Sequence, residues 1–122
     1  MKAKELNNKL LKCFPEIEEQ FKECISWQDG EDTGSHIVFS GVLVPHITNC
    51  LNSYDLKGIQ KCSDFIEEII SLDDTYSEEV IAFSVLEDLM FAENLSVGIY
   101  EFLREKSKKL YNEVWDWWKQ RK

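Results

Sequence analysis

Apolar residues recur along this chain at the three- and four-residue spacing that marks one face of an α-helix. A first helix ends at Pro15, a residue that also suits the first turn of a second helix running to about residue 28. The apolar face of the first helix is formed by four residues: Leu6, Leu10, Leu11 and Phe14. Residues 29–34 break the pattern and are predicted to form a loop.

The segment from His36 to Leu51 is apolar nearly all round, which predicts a position in the middle of the structure. Its β-branched residues are also compatible with a strand over residues 37–44. The length of the segment and the helical pattern on both sides favour a helix. Pro45 is expected to kink that helix.

The second half of the chain predicts three more helices. Asp55 is a suitable cap for a helix over residues 56–71, and Ser77 precedes a helix that ends near residue 93. The helix that follows Ser77 is predicted to bury five residues: Val80, Phe83, Leu86, Leu89 and Met90. A last helix is predicted from Leu95 to about Lys119.

These helices predict an all-α fold of five or six helices in a single domain covering residues 1–122. Residues 36–71 and 77–119 form two consecutive helix pairs, each with an apolar first helix and a more polar second one. Stacked antiparallel helix pairs of this kind are typical of HEAT-like repeats. An irregular helical bundle is the alternative.

Acidic residues are concentrated in the middle of the chain. Fifteen acidic and only two basic residues lie between Glu23 and Glu93, within a total net charge of −9. Such a field attracts a cationic partner, whereas binding to nucleic acid or to anionic lipid requires basic residues. The start of the chain has no apolar signal segment, and no apolar run is long enough to cross a bilayer. We therefore expect a cytoplasmic protein that binds neither nucleic acid nor membranes.

The sequence predicts neither a catalytic centre nor a cofactor site. Four widely spaced cysteines, Cys13, Cys24, Cys50 and Cys62, are interpreted as reduced structural thiols. Neither His36 nor His46 adds a short-spaced ligand pair of the kind that zinc sites use, so no metal is predicted. Both histidines are expected to lie in the core or to cap a helix. No recognised nucleophile motif and no glycine-rich phosphate loop accompanies them, which argues against an enzyme.

Four acidic doublets stand out on the predicted helices and turns: Glu67-Glu68, Asp73-Asp74, Glu78-Glu79 and Glu87-Asp88. All but Glu78-Glu79 are considered together with an aromatic run, Trp115-Asp116-Trp117-Trp118. In this combination the chain resembles immunity proteins of bacterial contact-dependent and polymorphic toxin systems. The resemblance implies stoichiometric binding to a cognate toxin, with an acidic surface covering the basic active-site cleft of a nuclease. The predicted contact residues are Asp29, Glu31, Asp32, Glu67, Glu68, Asp73, Asp74, Glu87, Asp88, Trp27 and Trp118.

Two questions stay open at this point. Trp27 suits the core as well as a binding surface. The last helix carries two apolar faces, and one neighbour cannot cover both, so the second is either packed internally or exposed. An exposed aromatic face supports the alternative function, an acidic helical adaptor or regulatory module that binds another basic protein and forms a homodimer through this helix.

Overall fold

A computed structural model describes residues 1–121, and this part of the chain is all-α. About 78% of it is helical, and it contains no strand. The helices are α1 (Ala3–Cys13), α2 (Glu18–Ser26), α3 (Ser35–Val38, Phe39–Leu43 and Val44–Asn52, without a break), α4 (Leu56–Ile70), α5 (Thr75–Ile81, Ala82–Leu86 and Glu87–Met90, without a break) and α6 (Glu105–Gln120). Short 3-10 turns occupy Pro15–Ile17, Gly30–Asp32 and Tyr100–Phe102. The predicted all-α fold of five or six helices is confirmed.

Helix α3 is the central element, and residues 37–44 are helical rather than extended. Val38, Phe39, Leu43, Ile47 and Leu51 are each fully buried. The helix contacts α1, α2, α4 and α5, so almost every side of it faces another helix. This explains why its sequence lacks a clear polar face.

Helices α3 and α5 each contain one π-helical turn, over Phe39–Leu43 and Ala82–Leu86. The backbone N–H of Val44 bonds to the carbonyl of Phe39, and that of Glu87 bonds to Ala82, in place of the usual partner four residues back. The two turns pack against each other. Each therefore advances the following residues around the helix axis at the point where α3 meets α5.

A kink was predicted at Pro45, and the structure has a π turn immediately before this residue. Proline has no N–H to donate to the residue four positions back. A wider turn at this place leaves a regular helix to resume over Val44–Asn52.

Aspartates cap the two helices that follow. Asp55 accepts a hydrogen bond from the Gly58 N–H at 3.1 Å, as predicted for the start of α4. Helix α5 begins earlier than predicted, and its cap is Asp74, which accepts from the Ser77 N–H at 3.0 Å. Each carboxylate satisfies a backbone donor that has no partner within its helix.

The prediction for the last helix is wrong over its first ten residues, since α6 begins only at Glu105. Residues 91–104 instead form a connection that buries Ile99 and Leu103 against the core. The N–H of Ser96 bonds to Asn52 Oδ1 at 2.8 Å, which holds this connection to the end of α3. These two apolar residues are thus buried by a segment that is not α-helical.

Buried apolar side chains form one cluster that extends from Leu6 in α1 to Val114 in α6. Helix α6 contacts α4 and α5 and buries Leu110 and Val114 between them. Among residues 1–121, every helix is too short or too polar to cross a membrane.

Candidate partner-binding site

Glu67, one of the predicted contact residues, holds the start of α6. Its carboxylate accepts hydrogen bonds from the Ser107 N–H (2.9 Å), the Ser107 hydroxyl (2.7 Å) and the Lys106 N–H (3.2 Å). Partial burial raises the pKa of Glu67, but these hydrogen bonds and the Lys106 charge outweigh it and hold the pKa below its ordinary value of 4.5. The side chain supplies the cap that the sequence of α6 lacks.

Glu68, the next residue, faces a different part of the molecule. It lies in the depressions between α1 and α4, where the neighbouring side chains include four lysines: Lys9, Lys12, Lys57 and Lys61. Their charges offset the carboxylate, so Glu68 does not extend an acidic surface.

Asp73 and Asp74 occupy the turn between α4 and α5. Asp73 has a positive φ of 53° and lines a depression of about 250 Å³ together with Lys106 and Lys109. Asp74 accepts a hydrogen bond from the Met1 amino group at 2.6 Å, and this bond, with those from Ser77, lowers its pKa to about 2. Both carboxylates thus lie beside cationic groups of the same chain.

The remaining predicted carboxylates lie in two other places. Asp29, Glu31 and Asp32 are exposed around the 3-10 turn after α2, where Glu31 pairs with Lys4 at 3.1 Å. Asp88 accepts from the Ser40 hydroxyl at 2.6 Å, next to the half-buried Glu87. The structure therefore distributes the nine predicted carboxylates over several environments.

The two predicted tryptophans also differ from each other. Trp27 is 80% exposed at the end of α2, so the alternative of a core position is wrong. Trp118 is half-buried and packs edge-on against Phe91, with ring centroids 5.0 Å apart. Its Nε1 is buried without a hydrogen-bond partner in residues 1–121. Trp118 is therefore an inner member of an aromatic cluster, and Trp27 is an isolated exposed ring.

The structure brings together a different set of acidic and aromatic residues, between α5 and α6. A groove of about 320 Å³ is lined by three carboxylates and two aromatic rings, called here the acidic–aromatic groove: Glu78, Glu79, Glu113, Phe83 and Trp117. None of the three carboxylates forms an ion pair within the described part of the chain. Two of them, Glu78 and Glu113, also line the adjacent depression with Lys106 and Lys109, so these carboxylates are unpaired but lie near cations of the same chain.

The two rings of the groove are partly exposed and touch each other. Phe83 is 41% exposed and Trp117 38%, and their centroids lie 5.5 Å apart in an edge-to-face arrangement. The guanidinium carbon of Arg121 lies 4.2 Å from the centroid of Trp117. The Trp117 ring thus already accommodates a planar cation.

The groove was not predicted, although two of its features are visible in the sequence. They are the Glu78-Glu79 doublet and the four-residue spacing of Glu113 and Trp117. The doublet Glu78-Glu79 was recognisable, but Phe83 was predicted to be buried together with Val80 and Leu86. The π turn over Ala82–Leu86 changes the angular position of the residues in and after it, which a regular helical spacing does not anticipate. Glu113 and Trp117, four residues apart on α6, lie on one face of that helix.

The histidines differ from their prediction as well. His36 is exposed rather than in the core, and its Nδ1 lies 2.6 Å from the Ser84 hydroxyl oxygen of α5. No carboxylate in residues 1–121 hydrogen-bonds to His36, so the pair links two helices without the third group of a catalytic triad.

His46 lies in a cluster with two thiols. The ligand atoms of His46, Cys50 and Cys62 are all within 4.8 Å of one another. Burial raises the pKa of the Cys62 thiol, which is fully inaccessible. His46 and Cys50 lie four residues apart on α3, a short ligand spacing that was not predicted. Cys62 is added by α4, and only the packing of the two helices reveals it.

The fold defines a small acidic all-α protein with one groove lined by carboxylates and partly exposed aromatic rings. Its sequence matches the profile of a family described as a domain of unknown function (DUF7674) over residues 7–118, and the chain belongs to that family. Comparisons with curated proteins and with solved structures gave no match.

Proposed function

We propose that this protein binds a cationic segment of a partner protein in the acidic–aromatic groove, and that the partner is a toxin domain that it neutralises. The observation that carries the proposal is the convergence of Glu78, Glu79 and Glu113, without intramolecular ion pairs, on the exposed rings of Phe83 and Trp117. In this proposal the protein acts by stoichiometric binding.

An arginine or lysine side chain fits the chemistry of the groove. A guanidinium stacked on Trp117 gains a cation–π interaction worth roughly 0.5–1 kcal/mol when exposed and about 2 kcal/mol when desolvated. Carboxylates at the rim form charge-assisted hydrogen bonds with the same group. Arg121 displays the stacking part of this arrangement within the protein itself, with its guanidinium carbon 4.2 Å from the centroid of the Trp117 ring. A partner cation would replace it or bind beside it.

The toxin as partner follows from the resemblance of the chain to immunity proteins of bacterial toxin systems. A nuclease has a basic cleft for phosphates, and a net charge of −9 speeds the encounter with such a surface. A few desolvated aromatic side chains would then dominate the affinity.

The test uses the protein encoded beside this gene, expressed as a toxin with and without this chain. Co-expression is expected to restore growth, and a Glu78→Gln, Glu79→Gln, Glu113→Gln triple variant is expected to associate more slowly and with a weaker dependence on salt. Trp117→Ala is expected to accelerate dissociation. Glu101→Gln and Trp27→Ala, exposed changes outside the groove, serve as matched controls.

If the triple variant and Trp117→Ala bind the toxin as the controls do, the groove is not the binding site. If the neighbouring protein is harmless in the absence of this chain, the toxin assignment fails.

A second candidate function is supported by the aromatic rings beyond the groove. Phe91 and Trp115 are 45% and 43% exposed, with centroids 6.2 Å apart. An adaptor that forms a homodimer through α6 would bury this pair. Sedimentation over a range of concentrations would detect such a dimer, and Trp115→Ala is expected to weaken it. A monomer at all concentrations removes this alternative and leaves the groove proposal in place.

A further inference from the structure

We propose that His46, Cys50 and Cys62 form a binding site for a thiophilic divalent cation, with Zn²⁺ as the ion that fits best. The site lies where the second half of α3 packs against α4, away from the acidic–aromatic groove. It is independent of the proposed function, because toxin binding and zinc binding involve different residues and are measured separately.

The separations of the three ligand atoms are compatible with a zinc site. Zinc bonds of about 2.0–2.3 Å place neighbouring ligand atoms roughly 3.3–3.8 Å apart. The three ligand atoms of the cluster are within 4.8 Å of one another. Side-chain rotations that move the ligand atoms by about 1 Å would therefore bring these atoms to the separations found around zinc.

The chemistry of the donors is selective. Two sulfurs and one imidazole nitrogen suit Zn²⁺ and disfavour Mg²⁺ and Ca²⁺, which prefer oxygen ligands. Cys50 is 6% and Cys62 0% exposed, and two buried thiolates balance the charge of one divalent cation. His46, with 22% side-chain exposure, lies at the outer edge and offers an entry path.

The backbone of α4 leaves room for the Cys50 thiol at one particular residue. A Cβ atom at Gly58 would lie 2.8 Å from Cys50 Sγ, closer than real contacts allow. Glycine inside a helix costs about 0.5–1 kcal/mol relative to alanine, so its presence here calls for a local reason. The capping carboxylate of Asp55, whose Oδ2 would lie 2.5 Å from the same Cβ, and the Cys50 thiol together provide that reason.

Glu16 lies on the outer side of the imidazole, close to hydrogen-bond distance but beyond it. Its Oε2 lies 3.8 Å from His46 Nε2, and its Oε1 lies 3.9 Å from Lys61 Nζ. A carboxylate on the imidazole ring fixes its orientation in many zinc sites. The edge of the His46 ring packs on Phe14 with centroids 5.3 Å apart, which further restricts its rotation. Three protein ligands leave one position for water or an incoming group.

The experiment measures Zn²⁺ binding to the full chain, kept reduced and freed of metal, by competition with a chromophoric chelator. We expect one Zn²⁺ per chain. Replacement by Co²⁺ is expected to give the visible bands of a tetrahedral ion and a thiolate-to-cobalt charge-transfer band. Cys50→Ser, Cys62→Ser and His46→Gln are expected to weaken binding by at least about 100-fold, and Glu16→Gln by about 10- to 100-fold.

Cys24→Ser is the matched control, because this thiol is half-buried and lies outside the cluster. It is expected to bind Zn²⁺ as the unaltered protein does. The Co²⁺ spectrum of the unaltered chain tests the site even if a buried cysteine variant fails to fold. The proposal is overturned if the reduced protein takes up no Zn²⁺, if the Co²⁺ spectrum lacks a thiolate band, or if Cys24→Ser weakens binding as much as Cys62→Ser. A Cys50–Cys62 disulfide in the protein isolated from cells, combined with no uptake after reduction, would identify a redox pair instead.

Discussion

Replacing Glu67 by alanine is the sharpest test of how the C-terminal helix is held. The side chain accepts three hydrogen bonds from the first turn of α6, and two of the donors belong to the fully buried Ser107. The sequence around Arg104 provides no side-chain cap of its own. Loss of the carboxylate would leave the buried N–H and hydroxyl of Ser107 without this partner.

The magnitude follows from those contacts. Loss of a helix cap costs about 1 kcal/mol, and an unsatisfied buried polar group adds about 1–3 kcal/mol. Because the three hydrogen bonds share one carboxylate, their energies are not additive, and we expect a total loss of about 2.5 kcal/mol. For a chain of this length that corresponds to a decrease in Tm of roughly 10 °C.

Thermal and urea unfolding followed by circular dichroism at pH 7 measure this loss. Glu68→Ala is the matched control, one residue away on the same helix, and its free energy of unfolding should change by less than about 0.5 kcal/mol. Glu67→Gln keeps one acceptor oxygen and should lose about 1 kcal/mol. Equal stabilities of Glu67→Ala and Glu68→Ala would refute the capping role.

The same contact predicts a dependence on pH. A carboxylate whose folded-state pKa is lowered stabilises the protein above its unfolded-state pKa, and this contribution is lost as the pH falls through the folded-state value. The pKa of Glu67 lies below 4.5 in the folded protein. The stability difference between the unaltered protein and Glu67→Gln should therefore be constant above pH 5.5 or so and decrease as the pH falls below about 4.5. An unchanged difference at pH 3 would contradict the assignment.

Three further predictions follow from packing. Gly58→Ala should lower the free energy of unfolding by about 1 kcal/mol despite the better helix propensity of alanine, because the new methyl group meets Cys50 Sγ at 2.8 Å and Asp55 Oδ2 at 2.5 Å. Gly98→Ala is the control, because a methyl group there meets nothing within 4 Å. A Gly58→Ala variant more stable than the unaltered protein would contradict these contacts. Leu43→Ala removes a fully buried side chain from the π turn of α3 and should cost about 2–5 kcal/mol in urea unfolding, whereas Ile37→Ala, at a residue 43% exposed, should cost much less. In metal-free protein, mass spectrometry after timed alkylation should show Cys24 modified well before the fully buried Cys62, and equal rates would mean that α4 opens readily.

Much of the fold follows from local patterns. Apolar spacing predicted every helix, and Asp55 was correctly identified as a cap, because both features depend on residues close in the chain. The helical state of residues 37–44 was favoured by length and not by periodicity. The start of α6 was misplaced, because Ile99 and Leu103 are buried by a connecting segment and burial alone does not require an α-helix.

The candidate sites were less predictable than the helices. Acidic doublets indicate charge, but they do not indicate that Glu67 caps α6 or that Glu68 lies among lysines. Glu79 and Glu113 are separated by the whole connection between α5 and α6, so only packing brings them to one groove. The same holds for Cys62, which joins His46 and Cys50 from another helix.

The sequence by itself determined an acidic all-α protein, since helix periodicity and total charge are sums over local residues. The tertiary structure alone decided which charges are compensated, which rings stay exposed and which thiols meet an imidazole. These properties depend on how α3, α4, α5 and α6 are rotated against one another. Two π turns alter that rotation through one widened turn each, and a regular helical spacing contains no trace of them.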